Sequence, residues 1–345
     1  MKKVFVGILD CVSGMKMAES LYNEYGAVIV GKDTILDAHI IRKLTNLGIN
    51  RVSIYDQSEN LVTANSTELF KAQYGQNIQT IRGILEDMSN GKNIDLKKIE
   101  ATTDSIVVRI NENRDIVSCI TQIKSSNEYT YTHSVNVAFL CMLIGKWMKY
   151  GPDKIKKLVQ AGLLHDIGKI MVPPEILNKP GKLTDKEYEE IKKHSVYGYR
   201  IIEKLPDIER DIGIAVLMHH EREDGSGYPV GLKGEKIHEY SKVIAVADTY
   251  DAMTSNRVYR ERESPFDAFD EMKNNTFGTL DTKVLNAFLS NIAAYYIGDF
   301  VRLSTGEKAE IIYINPSDIS RPIVKAGDKF IDLVFNPKIK VVELL

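Results

Sequence analysis

Between Tyr131 and about Ala294 apolar residues recur at three- and four-residue spacing, in Val135–Trp147, Ile155–Leu164, Asp185–Leu205 and Ile212–His219. That period predicts helices almost throughout. The stretch before it reads differently. Lys3–Leu9, Ala27–Val30 and Arg51–Tyr55 have the texture of strands around a helical segment at Leu36–Leu47, which predicts a small α+β module over residues 1–65. Residues 66–124 read as helices with polar faces, broken at Ser89-Asn90-Gly91, and suit a connector. From Gly298 short apolar runs alternate with turns such as Ser304-Thr305-Gly306, predicting a β-rich subdomain over 295–345. The expected fold is therefore mainly α, an all-α central domain over 125–294 between a small α+β N-terminal module and a β-rich C-terminal tail.

Two irregular stretches interrupt the helical pattern, Val172 to Lys182 and Asp224 to Gly234, and each follows a cluster of His and Asp. Loops that follow ligand-bearing helices are where substrates are gripped.

Five of the seven histidines, His133, His165, His194, His219 and His220, fall inside the helical stretch. His39 and His238 are read as bystanders. His165-Asp166 ends the apolar run Leu158–Leu164, and Asp248 ends a second one, Val243–Ala247. Burying such groups without partners is costly, and a divalent cation shared between them removes the cost. A single buried histidine is more often a satisfied core residue than a ligand, but five with two aspartates reverse that reading. His219 and His220 would stand about 100° apart on a helix, so both reach one site only if it is wide. A binuclear centre is wide enough, and in such centres a bridging hydroxide serves as nucleophile while the ions neutralise the phosphoryl oxygens.

Composition narrows the partners. With a net charge of -2 the chain has no overall field for a nucleic acid polymer, so an anionic ligand must be held locally. No segment has the uninterrupted apolar length of a membrane span, and the N-terminus meets Asp10 too early for a signal peptide, so the expectation is a cytoplasmic protein without a membrane partner. Cys11, Cys119 and Cys141 are odd in number and widely spaced, as ordinary buried thiols are.

The runs His133-Ser134-Val135-Asn136-Val137, His165-Asp166-Ile167-Gly168-Lys169-Ile170 and His219 through Pro229 resemble the HD-GYP domain, as do Lys179–Thr184, His194, Val246–Thr254 and Arg257–Arg260. The likeness covers roughly residues 125 to 292. It implies a phosphodiesterase that opens cyclic di-GMP to linear pGpG, and sometimes on to GMP, at a binuclear centre of iron or manganese. Carried onto this chain, it implies metal ligation by His133, His165, Asp166, His194, His219, His220 and Asp248. Lys169, with Asp166, takes the catalytic side, facing the scissile phosphate, and Gly227, Tyr228, Pro229, Arg222, Arg257 and Arg260 hold phosphate and guanine. An arginine fork suits either group. Read without the resemblance, Lys169 could serve only its helix end, the arginines could be solvated charges and Gly225-Ser226-Gly227 a plain turn.

Members with a third metal carry Glu four residues before the first ligand His, and here Tyr129 stands in that place with Glu128 one residue off. Two metals, and pGpG as main product, are the expectation. The competing readings are a phosphodiesterase for another cyclic dinucleotide such as cyclic GMP-AMP, and a non-catalytic cyclic di-GMP receptor. For partners beyond the ligand the sequence leaves a homodimer through the helical or N-terminal regions as the expectation to test.

Overall fold

The computed structural model describes residues 3–23, 26–49, 51–55, 62–112, 117, 129–255, 263–276 and 278–345. Its chain divides into two compact units, one formed by residues 1–69, 113–118 and 290–345, the other by residues 70–112 and 119–289.

In the first unit β1 (Lys3–Gly7) pairs antiparallel with β4 (Arg51–Tyr55), and the short β2 (Leu21–Tyr22) pairs with β3 (Val28–Val30). Helix α1 (Ala38–Asn46) starts where the carboxylate of Asp37 accepts the amide of Ile40, an N-cap that satisfies one of the helix's orphan donors. Val6, Met17, Leu36, Leu44, Val52 and Ile54 close a small core between them. The last residues form a five-stranded sheet in the order β8-β7-β6-β5-β9, with β5 at Phe300–Leu303, β6 at Lys308–Asn315, β7 at Asp318–Ala326, β8 at Lys329–Asp332 and β9 at Val341–Leu344. All its pairings are antiparallel. The two ends of the chain meet in this unit through buried Arg51. Its guanidinium donates to the carbonyls of Ala294 and Tyr295 at 3.3 and 2.7 Å and lies over the Phe5 ring.

The second unit is helical. Helices α2 (Val62–Ser89) and α3 (Leu96–Glu112) lead to α4 (Tyr129–Trp147), whose Val135, Val137, Phe139, Leu140, Met142 and Ile144 are all buried. A helix buried on every side is central, and its polar residues His133, Ser134 and Asn136 are buried with it. Helix α5 (Pro152–Leu164) packs closely on α4 at Gly162, where an added Cβ would lie 3.1 Å from the Ala138 Cα. After the short α6 (Pro174–Leu177), the segment expected as one helix over Asp185–Leu205 divides into α7 (Asp185–Lys192) and α8 (His194–Ile202), with Lys193 at the junction. Helices α9 (Arg210–Met218), α10 (Glu239–Thr254), α11 (Pro265–Asn275) and α12 (Thr282–Ile292) follow. Thr184 and Glu187 close a capping box on α7, and Ser264 caps α11. Among the described residues no helix is long and apolar enough to cross a membrane.

Candidate metal centre

The site is assembled from helix ends as much as helix faces. His133 projects from α4 and Asp248 from α10, whereas His165 directly follows α5, His194 opens α8 and His219 directly follows α9. Helix α9 ends at Met218, with His219 as its C-cap still in the right-handed helical region and His220 next in the chain. The chain turns there, and their rings stand 4.0 Å apart at 44°.

The ligand atoms fall into two groups, within each of which they lie no more than 4.8 Å from one another: Asp166, His194, His219 and His220, and His133, His165 and Asp248. Asp166 joins them. Its Oδ1 lies 3.4 Å from His194 Nε2, while its Oδ2 lies 3.3 Å from His165 Nε2 and 3.5 Å from His133 Nε2. Asp248 Oδ1 is 3.1 Å from His133 Nε2. A carboxylate whose two oxygens serve two histidine groups has the geometry of a bridging ligand.

The histidine tautomers are set by the backbone. Nδ1 of His165, His194 and His219 donates to the carbonyls of Gly162, Ile191 and Val216, at 2.8, 2.7 and 2.6 Å. A carbonyl can only accept, so Nδ1 carries the proton and Nε2 is left with its lone pair facing inward. His133 differs, donating Nδ1 to Oδ2 of Asp251 at 2.7 Å.

Whether these residues fit a metal is decided by His165. Its Nε2 is buried and has no hydrogen-bond partner. An orphaned lone pair in the interior is costly, and a cation satisfies it. Seven nitrogen and carboxylate donors in two groups are the chemistry that divalent transition metals take. The electrostatics agree. Burial opposes ionisation of Asp166, yet the Lys169 ammonium and the His165 imidazole hold its carboxyl well below the usual range. Burial likewise opposes ionisation of Asp248, and His133 holds it low. Burial keeps His219 and His220 far below the ordinary imidazole value and lowers His194, so all three are neutral at pH 7 and able to ligate.

Two glycines make this convergence possible. A Cβ on Gly168 would collide with the backbone carbonyl of His194, so only glycine lets the 3-10 turn Ile167–Met171, which carries Lys169, lie against α8. A Cβ on Gly227 would strike the backbone of Arg222 and His220. Folded back in this way, the loop lays the Tyr228 ring on His220, with centroids 4.5 Å apart at 27°.

A cleft of about 370 Å³ opens over the cluster, with Lys169, Arg222, Tyr228 and Thr249 on its walls. Lys169 Nζ donates to Asp166 Oδ2 at 2.6 Å, and Arg222 Nη1 to the carbonyls of His219 and Glu221. Gly227 and Pro229 flank Tyr228 in the same loop, whereas Arg257 and Arg260 lie outside the described residues. So does Glu128, and of Tyr129 only the backbone, in α4, is described. Cys11 and Cys141 are buried thiols, and Cys119 also falls outside the described residues. His39 is exposed, and His238 caps α10 by accepting the Tyr240 amide.

Four contributors were not singled out from sequence. Asp251 orients His133. Asn136 and Tyr74 extend that contact, Asn136 donating to Asp251 Oδ1 at 2.9 Å and Tyr74 to Asn136 Oδ1 at 2.6 Å. Buried Glu221 accepts the amides of Val230, Gly231 and Leu232 at 2.8, 3.2 and 2.8 Å and fixes the loop after Tyr228. The spacing carried a usable signal for the first two, since Asp251 follows Asp248, and Asn136 follows His133, by the three residues that share a helix face.

Residues 118–284 match the HD domain family. The chain is 34% identical over 242 residues to a cyclic di-GMP phosphodiesterase of Pseudomonas aeruginosa, covering 70% of this chain and 58% of that protein. It is 37% identical over 180 residues to a 3'3'-cGAMP-specific phosphodiesterase of Vibrio cholerae, covering 50% and 40%. The chain thus spans about half the length of these relatives. Among solved structures, an HDG"Y"P protein of Bdellovibrio bacteriovorus superimposes with a TM-score of 0.56 at 13% identity, over 83% of this chain and 98% of that one, a likeness of fold.

Proposed function

We propose that this chain, whose residues 118–284 match the HD domain family and whose motifs resemble the HD-GYP group, is a metal-dependent phosphodiesterase that opens cyclic di-GMP to linear pGpG. The observation that carries this reading is the bridging placement of Asp166 between two histidine groups, beside an orphaned His165 nitrogen.

His133, His165 and Asp248 would hold one divalent ion, His194, His219 and His220 the other, with Asp166 between them. The ions, iron or manganese, would supply an activated water and neutralise charge on the phosphoryl oxygens. The remaining steps belong to side chains on the cleft wall. Lys169 stands with its ammonium at the edge of the cluster, where it can turn to a phosphate oxygen and stabilise the charge that develops as the ester breaks. Arg222 offers its remaining donors to a phosphate or a guanine edge. Tyr228, stacked on His220, closes one wall and excludes water, with Gly227 and Pro229 setting its approach; Arg257 and Arg260 would add charge to the substrate side.

The second reading, cyclic GMP-AMP as substrate, is favoured by the likeness to the cGAMP-specific enzyme. Metal content measured together with product analysis on both cyclic dinucleotides decides between them. The expected result is two ions per chain and pGpG from cyclic di-GMP. Three ions in active enzyme would overturn the two-metal reading that Tyr129 supports, and a metal-loaded protein that binds the dinucleotide without cleaving it would overturn the enzyme reading.

A further inference from the structure

We infer that Tyr74 is a positioning residue for His133, acting through Asn136 and Asp251. The inference rests on the metal reading of the histidine cluster and concerns how one ligand of that cluster is aimed.

Four side chains from three helices form an unbroken buried sequence of hydrogen bonds. Tyr74 on α2 donates to Asn136 Oδ1 at 2.6 Å, Asn136 Nδ2 donates to Asp251 Oδ1 at 2.9 Å, and Asp251 Oδ2 accepts from His133 Nδ1 at 2.7 Å. Tyr74 is 1% exposed and Asn136 and Asp251 are both at 0%, so water does not compete for any of these bonds.

The direction of every bond is forced. An ionised Asp251 only accepts, so Asn136 must turn its amide nitrogen towards it. That leaves the amide oxygen facing Tyr74, which must donate. At the other end Asp251 keeps the proton of His133 on Nδ1 and leaves Nε2 as the donor atom facing Asp248 and Asp166. A carboxylate behind a ligating imidazole is a common way to fix its tautomer and raise its basicity. Here the carboxylate is itself held at its far oxygen, and the amide that holds it is held by a phenol. His133 Nδ1 is met by a carboxylate, where the Nδ1 atoms of His165, His194 and His219 are met by backbone carbonyls of their own chain segments. Its aim depends on side chains instead.

Replacing Tyr74 by Phe removes one oxygen and keeps the ring, which packs on Phe70 and Phe139 at 6.1 and 6.0 Å. A purely structural role would then appear as a lower melting temperature of the chelated protein, with metal affinity unchanged. A positioning role appears in the metal itself. The test is Mn binding to the full chain by chelator competition and by the electron paramagnetic resonance of the bound ion, in wild type, Tyr74→Phe, Asn136→Ala and the double variant, with Asn136→Ser replacing Asn136→Ala if the latter does not fold. We expect Tyr74→Phe to weaken Mn binding roughly five-fold, the size of one hydrogen bond, and to add nothing once Asn136 is gone, because the path is already cut. Equal Mn affinity in wild type and Tyr74→Phe overturns the inference, as does a full Tyr74→Phe effect in the Asn136 background. Wild-type protein that takes up neither Mn nor ferrous iron overturns the metal reading instead, so the two failures are distinct.

Discussion

Lys169 Nζ donates to Asp166 Oδ2 at 2.6 Å, the same oxygen that faces the orphaned Nε2 of His165. The ammonium is thus tethered to the carboxylate that faces both histidine groups while lining the open cleft, a quarter exposed. Replacing Lys169 by Met keeps the stem and removes the charge. Turnover of cyclic di-GMP should fall about 100-fold, the cost of losing one preorganised donor to a developing anion, with metal content unchanged. A parallel loss of metal would show that Lys169 serves Asp166 rather than the phosphate.

Asp166→Asn should empty both halves of the cluster. The amide puts a nitrogen where one carboxylate oxygen faces a histidine group, and both groups use this residue. Elemental analysis should show less than one ion per chain, whereas His133→Ala and His194→Ala, each touching one group, should retain about one.

The chelated protein should be most stable near pH 6.5 and should lose stability both below it and on the way up to pH 9. His194, His219 and His220 are held neutral by burial, so their folded values lie below the unfolded one; their contribution is present above pH 6.5 and is lost as pH falls. His133 works in the opposite sense. Burial opposes its charge, but Asp248 and Asp251 push it up to about 9, so its contribution is present below 6.5 and is lost as pH rises through 9. Melting temperatures from pH 5 to 10 in excess chelator should trace this dome, and a monotonic rise with pH would contradict it.

Glu221→Ala should loosen the substrate loop more than the chemistry. Three backbone amides lose a buried carboxylate, which costs on the order of 2–3 kcal/mol. The melting temperature should drop, KM for the dinucleotide should rise, and kcat should change much less, since no metal ligand is touched.

Much of the centre was legible because its ligands are rare residue types placed against apolar runs. His165-Asp166 after Leu158–Leu164 and Asp248 after Val243–Ala247 stand out for that reason, and the structure gathers the seven residues expected as ligands into two adjoining groups. What supports them was harder to read. Glu221 is one glutamate among many until the amides of Val230, Gly231 and Leu232 are seen to point at it, and Tyr74 is sixty-two residues from its partner Asn136. Helix breaks were also invisible to periodicity: Asp185–Leu205 keeps its apolar spacing through Lys193, although α7 stops there. The meeting of residues 1–69 with 290–345 in one unit depends on Arg51 finding Ala294 and Tyr295, and no local pattern announces a pairing at that distance.

The carbonyls of Gly162, Ile191 and Val216 lie within reach of His165, His194 and His219 because each belongs to the last turn of a helix, where the regular intrahelical ladder runs out. Ligand aim is therefore a property of helix length. One residue inserted near the end of α5, α7 or α9 would carry a histidine about 100° around its axis and return the carbonyl to the helix, disabling the site without altering a single ligand. Transplanting this centre into another bundle means copying three helix endings, and the seven side chains alone would not suffice.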